Sequence, residues 1–313
     1  MESSIIIAIV IPAYKIKFFD AVLKSLSEQT DNRFNVYVGI DASKDNFESV
    51  IEKYSSCINI TYKRFEENLG GENLVAQWNR CVEMIGDEQW IWLFSDDDMM
   101  ESTCVENFYK EIEKGANYDL YHFDVDVIDE HNKVVKHTQP YPQVIDAVSF
   151  LKGKNSAKLD SFVVEYVFRR STFERLGGFQ YFDMAWGTDI ATWAKLGKEK
   201  GIKTIPSAKV LWRQSSLNIT PSVDKTGLLR KLKANVSFYT WCRENFKEIS
   251  YNDIYYYLFR MLVHYTPYLK VIDFRNIVKP FYKSTREGKV YYTLISCFYP
   301  VLRLAHRIVH IRG

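Results

Sequence analysis

Short apolar runs rich in β-branched and aromatic residues recur along the first third of the chain, at Ile5–Ile11, Val36–Ile40, Ile58–Tyr62 and Trp90–Phe94. Between them lie stretches with helical spacing, and that alternation predicts an α/β domain. The runs are continuous rather than alternating, so the strands are expected to be covered on both faces in a mostly parallel central sheet with right-handed crossovers. A second section, roughly Tyr118 to Arg213, mixes strand-like runs at Tyr118–Ile128, Phe162–Phe168 and Ala208–Trp212 with a turn signal at Asp129-Glu130-His131-Asn132. It also predicts a helix from about Thr188 to Lys200, stopped by Gly201. From about Pro221 the strand pattern ceases, and helical, aromatic, basic segments continue to the end. The expected domains are therefore 1–220 and a helical C-terminal region, 221–313.

Ligands of such sheets sit outside the carboxyl ends of the strands. Three polar groups fall on that edge: Pro12-Ala13-Tyr14 after the first run, Asp41-Ala42-Ser43 after the second, and Ser95-Asp96-Asp97-Asp98 after the fourth. Three adjacent carboxylates repel by about 1 kcal/mol per pair at 4 Å in water and about 4 at an effective dielectric of 20. A divalent cation would offset that repulsion, since Mg2+ or Mn2+ takes carboxylate oxygens on one side and keeps positions for diphosphate oxygens on the other. A solvated acidic turn capping the next helix fits the same residues. Asp41 equally admits two readings, a plain turn with Ser43 or Asp45 capping the next helix, or an acceptor for a nucleobase N–H. Further on, Trp186-Gly187-Thr188-Asp189 opens a helix, with Thr188 placed as an N-cap and Asp189 in the first turn, where the helix dipole favours a negative charge by about 0.3–1 kcal/mol. The same placement holds a carboxylate on a rigid element beside an apolar ring of the kind that stacks on sugar faces.

Composition narrows the classes. The 313 residues are 47% hydrophobic and 26% charged with a net charge of +2, as expected of a globular protein and not of a strongly basic nucleic-acid binder. The total hides a polarity: residues 225–313 hold 16 basic and 5 acidic side chains, a net of +11, which leaves −9 for the first 224. Five widely spaced cysteines show no zinc or redox pairing and read as reduced thiols of a cytosol. The seven-residue apolar run near the start is preceded by Glu2, and reads as a buried strand rather than a signal peptide or a span.

Taken in order, these residues resemble the family 2 glycosyltransferases with the GT-A fold, over about Ile5 to Thr220. The opening strand Ile9-Val10-Ile11-Pro12-Ala13-Tyr14 is similar to the family's strand ending in Pro-x-Tyr/Asn. Ser25-Leu26-Ser27-Glu28-Gln29-Thr30 matches its Ser-Leu-x-x-Gln-Thr, Ile40-Asp41-Ala42-Ser43-Lys44-Asp45 its Asp-Asp-Gly-Ser-x-Asp, and Asn68-Leu69-Gly70 its Asn-x-Gly. Ser95-Asp96-Asp97-Asp98 stands where the family has Asp-x-Asp-Asp, Leu176-Gly177-Gly178-Phe179 where it has Leu-Gly-Gly-Phe, and Thr188-Asp189 where it has Glu-Asp. Ile40, Ser95 and Thr188 each replace a family acid, and the histidine often found near Arg213 is absent from Trp212-Arg213-Gln214-Ser215-Ser216.

The resemblance implies an inverting, metal-dependent transfer of a sugar from a nucleoside diphosphate, UDP above all, to a saccharide or lipid-linked acceptor in surface polysaccharide or glycolipid synthesis. It gives Asp41 to the base, the Pro12-Ala13-Tyr14 turn to base and ribose, Asp96 to the ribose neighbourhood and Arg80 to a phosphate contact. It gives Asp97 with Asp98 to the divalent cation, Mn2+ or Mg2+, Trp186 to the acceptor and Asp189 to the general base. A non-catalytic relative that only binds a nucleotide-sugar or carbohydrate is the first alternative. A sugar-phosphate nucleotidyltransferase is the second, although the Gly-rich loop expected after its first strand is missing at Pro12-Ala13-Tyr14-Lys15. The C-terminal region admits two readings, a helical subdomain with solvated bases or a segment lying in a membrane interface, each base contributing about 1 kcal/mol near anionic lipid. Its longest uncharged run, Val290–Leu302, is 13 residues against roughly 20 for a span. The expected location is the cytoplasm, with peripheral contact at the inner face of the cytoplasmic membrane, and no nucleic-acid partner.

Overall fold

A computed structural model describes residues 7–115, 117–217, 225–265, 270–283 and 285–311. The start of the first apolar run, at Ile5, and the expected boundary near 220 lie outside the described residues. By its contacts the chain forms two compact units, one of residues 1–180 with 192–218, the other of 181–191 with 219–313.

The first unit is built in the order β1 (Ile7–Ala13), α1 (Phe19–Ser27), β2 (Phe34–Asp41), α2 (Phe47–Tyr54), β3 (Ile60–Phe65), α3 (Leu74–Val82), β4 (Trp90–Leu93) and β5 (Met99–Met100). It continues with α4 (Cys104–Glu113), β6 (Leu120–Ile128), β7 (Val134–His137), β8 (Val144–Ile145), α5 (Ala147–Asn155), β9 (Tyr166–Arg169), α6 (Arg170–Arg175), the part of α7 (Thr188–Leu196) from Thr192 on, and β10 (Ile202–Arg213). Among the described residues these strands make one sheet in the order β3-β2-β1-β4-β9-β6-β10-β5, with β7 against β6 and β8 against β10. β3, β2, β1 and β4 are mutually parallel, and β6 and β10 run parallel to each other. The short β9 lies antiparallel between β4 and β6. The sheet is therefore mostly parallel, as the continuous apolar runs require, because β1 and β4 are buried along almost their whole length.

Two strands depart from expectation. β3 sits at the sheet edge, where Tyr62 is 47% exposed and Lys63 and Arg64 face solvent, charges that discourage further strand pairing. The run at Phe162–Phe168 becomes strand only from Tyr166, and residues 163–165 turn instead. The signal at Asp129–Asn132 is the turn of the β6–β7 hairpin, closed by Asp129 N–H to Lys133 O at 2.9 Å with Asn132 at φ 63°.

Helix starts are set by local side chains. Asn46 Oδ1 accepts from Ser49 N–H, so it is Asn46 and neither Ser43 nor Asp45 that caps α2. Asn73 caps α3 and Asp146 caps α5 in the same way. The core joins sheet and helices through large rings: Trp92 stacks on Phe123 at 5.0 Å, and Trp90 meets Phe108 and Tyr121 edge-on. At Gly39 an added Cβ would lie 2.2 Å from Cys81 Sγ, so glycine there is what lets α3 approach β2.

The second unit holds α8 (Lys225–Asn245), α9 (Tyr251–Tyr265), α10 (Val271–Tyr282) and α11 (Arg286–Ile311). Tyr255, Tyr282 and Tyr291 cluster between them, with centroids 5.1 and 5.3 Å from Tyr255. Pro300 lies inside α11 and cannot donate to the carbonyl of Ser296; Arg275 of α10 donates to that carbonyl instead, at 3.0 Å. Among the described residues no helix is long and apolar enough to cross a membrane.

Candidate active site

Parallel pairing of β1 with β4 sets Val10 opposite Leu93, so the chain leaves both strands side by side at the carboxyl edge. Asp96 uses that adjacency: its Oδ2 accepts the amide N–H of Tyr14 at 2.6 Å and of Lys15 at 2.7 Å. The carboxylate thus fixes the turn after Pro12 and Ala13 and leaves the Tyr14 ring 47% exposed. Ser95 Oγ lies 2.9 Å from Asp97 Oδ1 and 2.6 Å from Asp98 Oδ2. A hydroxyl has one proton, so two carboxylate oxygens converge on a single donor. Asp98 is buried and also accepts the Arg213 amide at 2.6 Å. The fully buried Arg213 guanidinium donates to the carbonyls of Asp97 and Asp129 and lies over the Phe18 ring at 4.4 Å.

Burial raises the pKa of all three neighbours. Asp96 is pushed up to about 6 by desolvation and then by the charge of Asp97. Asp97 is raised by desolvation, against the Ser95 hydroxyl and the cations Lys15 and Arg213. Asp98 stands well above the usual carboxylate range, for desolvation first and the Asp97 charge second. A solvated surface turn would neither bury Asp98 nor close Asp96 and Asp98 on the amides of Tyr14, Lys15 and Arg213.

Asp41, at the end of β2 and 3% exposed, is held as firmly. Its two oxygens accept the amides of Leu69 and Gly70, each at 2.8 Å, and the Arg80 guanidinium. Arg80 reaches from α3 across the Phe65 ring, 3.8 Å from its centroid, and also donates to Glu67 O at 2.8 Å. A Cβ on Gly70 would stand 2.6 Å from Asp41 Oδ2, so this loop needs glycine to approach the carboxylate. The residue read from the sequence as a phosphate contact is thus the counter-ion of Asp41. Two clefts flank the row of acids, about 370 Å³ lined by Lys63, Arg64, Phe65, Glu66, Glu67 and Arg80, and about 640 Å³ lined by residues of the β6–β7 turn and of Gln214-Ser215-Ser216.

The donor set suits a hard divalent cation in kind, since Asp97 and Asp98 offer carboxylate oxygens that share one proton. It is not a closed cage: among the described residues no group of three or more His, Cys, Asp or Glu is disposed to hold a metal. Two carboxylates leave most of a coordination shell to water or to a diphosphate.

Trp186 and Asp189 belong to the second unit. Thr188 is the first residue of α7 and its Oγ1 accepts the Phe182 amide at 3.1 Å, a bond across the preceding loop. Asp189 follows in the first turn and is partly buried. The loop is conformationally costly at Met184 and Ala185, with φ of 59° and 54°, while Gly187 takes φ 87° freely. α8 holds it there. Asp183 pairs with Arg230 at 2.6 Å, Lys231 Nζ lies 4.4 Å over the Trp186 ring, and Gly187 is packed so that a Cβ would stand 3.1 Å from the Phe238 ring.

Sequence reasoning placed Ser95 on the acidic edge only as the replacement of a family acid, and missed Lys15 and Arg213 there. Both are cations, directly after the first and at the last parallel strand, and that position beside three acids is the signal that was there to be used. It also missed Arg230, Lys231 and Phe238, whose links to Asp183, Trp186 and Gly187 no spacing reveals.

The family model for glycosyl transferase family 2 matches residues 8–175. Among solved structures, S. aureus TarS 1–349 in complex with UDP-GlcNAc is similar at 13% identity with a TM-score of 0.70, over 96% of this chain and 91% of that one. Its complex with UDP gives 0.67 at the same identity and coverage. GalNAc-T7 with UDP, GalNAc and Mn2+ gives 0.54 at 12% identity, over 95% of this chain and 58% of that one. At these identities the likeness shows the fold, GT-A. No curated protein matches the sequence.

Proposed function

The chain belongs to glycosyl transferase family 2, and on that premise we propose that it moves a sugar from a UDP-linked donor to a saccharide or lipid-linked acceptor, with inversion, in surface polysaccharide or glycolipid synthesis. The observation that carries this reading is the row of anchored carboxylates, Asp41, Asp96, Asp97 and Asp98, on one carboxyl edge of the sheet, with one serine proton between two of them. The UDP and UDP-GlcNAc complexes of TarS support the choice of donor.

Pro12, Ala13 and Tyr14, fixed by Asp96, offer the base and ribose a rigid surface. Asp41 retains acceptor capacity on Oδ2 for a nucleobase N–H, because a carboxylate has about four lone-pair sites and three are taken. Asp97 and Asp98 would hold Mn2+ or Mg2+, as supported by the Mn2+ in the GalNAc-T7 complex; when bound, the ion stabilises the growing charge of the leaving diphosphate. Asp189 takes the acceptor hydroxyl's proton at the opening of α7, and Trp186 offers the acceptor sugar an apolar face. A single base with direct displacement inverts the anomeric centre. A hydrolase would instead need an acid and a second carboxylate flanking the glycosidic bond. The basic C-terminal helices keep the protein at the inner face of a membrane, near a lipid-linked acceptor.

Thermal unfolding with a panel of nucleoside diphosphates, with and without Mn2+, tests the donor site. A ligand at about 100 times its dissociation constant adds roughly 2.7 kcal/mol of stability. UDP should stabilise the wild type with metal and fail to stabilise Asp97→Ala. No shift with any nucleotide would overturn the reading. Stabilisation without UDP release from any UDP-sugar and acceptor would make the protein a non-catalytic binding relative.

A further inference from the structure

The last helix is apolar on two opposite faces, and the second unit uses only one. α11 turns Gly288, Ile295 and Tyr299 inward, where they are buried against α9 and α10. On the other side Val290, Leu294, Phe298 and Val301 are 57, 48, 55 and 62% exposed, with the exposed Cys297 among them. Steps of four, four and three residues set these side chains on one stripe, about 17 Å long at 1.5 Å per residue. A surface helix ordinarily turns polar residues to water, so a stripe of large apolar side chains marks a surface that meets a partner or an apolar phase.

Charge decides between the two. α11 carries Arg286, Lys289, Arg303 and Arg307 against the single acid Glu287, within a region of net charge +11. Arg286 and Lys289 are exposed at the head of the stripe. A second copy of the chain would set one basic helix against another. An anionic lipid surface answers both features, taking the apolar side chains at the acyl boundary and the bases among the headgroups. The helix is not apolar enough to cross, so it lies in the plane.

We propose that α11 is an in-plane membrane helix that inserts Val290, Leu294, Phe298 and Val301 into the interface of an anionic bilayer. Its use, delivery of the site to a lipid-linked acceptor, rests on the transferase reading; the lipid contact itself does not.

The test is retention of the full-length protein by vesicles of phosphatidylcholine with and without a quarter of phosphatidylglycerol. Retention should require the anionic lipid and fall as salt rises. Leu294→Gln with Phe298→Gln should lower partitioning at least tenfold while leaving thermal unfolding unchanged, since both side chains are already exposed. Lys289→Gln should lower it about fivefold. An environment-sensitive dye on Cys297, in a Cys57→Ser background, should shift to the blue on addition of the vesicles. Equal retention of the double variant, or no retention at all, overturns the proposal. A blue shift that follows protein concentration without lipid, with a doubling of mass, would assign the face to a second copy. Stabilisation by UDP, measured on the same samples, reports on the transferase reading separately.

Discussion

The acidic edge of the first unit and the loop before Asp189 in the second are held by opposite means. At the sheet edge, where Ala42 after Asp41 is itself left-handed at φ 52°, the site's own carboxylates do the holding: Asp96 grips the amides after β1, Asp41 those of Leu69 and Gly70, and Asp98 that of Arg213. In the 183–187 loop two non-glycine residues, Met184 and Ala185, are forced into left-handed backbone, and α8 holds the loop from outside through Arg230, Lys231 and Phe238. An edge gripped by its own carboxylates depends on the residues of the site, whereas the 183–187 loop is only as firm as its neighbours. The proposed base sits immediately after that loop.

The largest expected effect follows from that position. Asp189→Asn removes the proton acceptor and keeps the shape, so UDP release in the presence of acceptor should fall about 10²- to 10⁴-fold, the usual share of general base catalysis. UDP-induced stabilisation should persist, because the residues proposed to bind the donor belong to the other unit. Loss of both would mean that Asp189 supports the fold rather than the proton transfer.

The next effect probes the first unit by pH. His122 is buried in β6, stacked on Tyr141 at 3.9 Å and beside Tyr166, and burial holds its imidazole neutral by lowering its pKa to about 3. The folded value lies below the unfolded one near 6.5, so this group's stability is complete above 6.5 and is lost as pH falls toward 3. At pH 5 the loss should reach about 2 kcal/mol. The raised Asp96, Asp97 and Asp98 act in the opposite direction and are common to both proteins, so urea unfolding should show the wild type losing about 2 kcal/mol more than His122→Phe between pH 8 and pH 5. An equal loss in the variant would trace acid sensitivity to other groups.

The two regions differ in legibility for the same reason they differ in construction. Strand-end chemistry follows strand pattern: once Trp90–Phe94 reads as a buried strand, Asp96, Asp97 and Asp98 must leave it at the carboxyl edge, and Asp41 likewise after Val36–Ile40. Resemblance then orders these groups into a site. What the pattern does not encode is partner choice at long separation, such as Arg80 with Asp41 or Arg213 with Asp98, 115 residues apart. The helix start at Asn46 was misplaced onto Ser43 or Asp45 because three capping side chains occur within four residues and only backbone geometry selects among them. The loop was least legible. Nothing in Met184 or Ala185 announces a positive φ, since neither favours it; the conformation is imposed by tertiary contacts.

Glycine substitutions sharpen the contrast. Gly177 and Gly187 have nearly the same φ, 80° and 87°, but an added Cβ meets nothing within 4 Å at the first and the Phe238 ring at 3.1 Å at the second. Gly177→Ala should cost about 1 kcal/mol, the backbone strain alone. Gly187→Ala should cost about 1–2 kcal/mol with the added crowding, and it should also slow UDP release, which Gly177→Ala should not. Equal losses of activity in the two variants would break the claim that packing on α8 sets the loop.

The smallest expected change in stability tests that claim most directly. Arg230 and Asp183 form an ion pair whose side chains are 42% and 38% exposed. Exposed pairs contribute about 0.2–1 kcal/mol, so Arg230→Ala should barely move the unfolding midpoint. If the pair only decorates the surface, UDP release should be as little affected. If it holds the 183–187 loop in its left-handed course, turnover should drop several-fold while stabilisation by UDP stays unchanged, and Arg230→Lys should restore part of the rate. A loss out of proportion to stability would locate the function of α8 in placing the residues before Asp189; a proportionate one would leave the loop held by Phe238 and Lys231 alone.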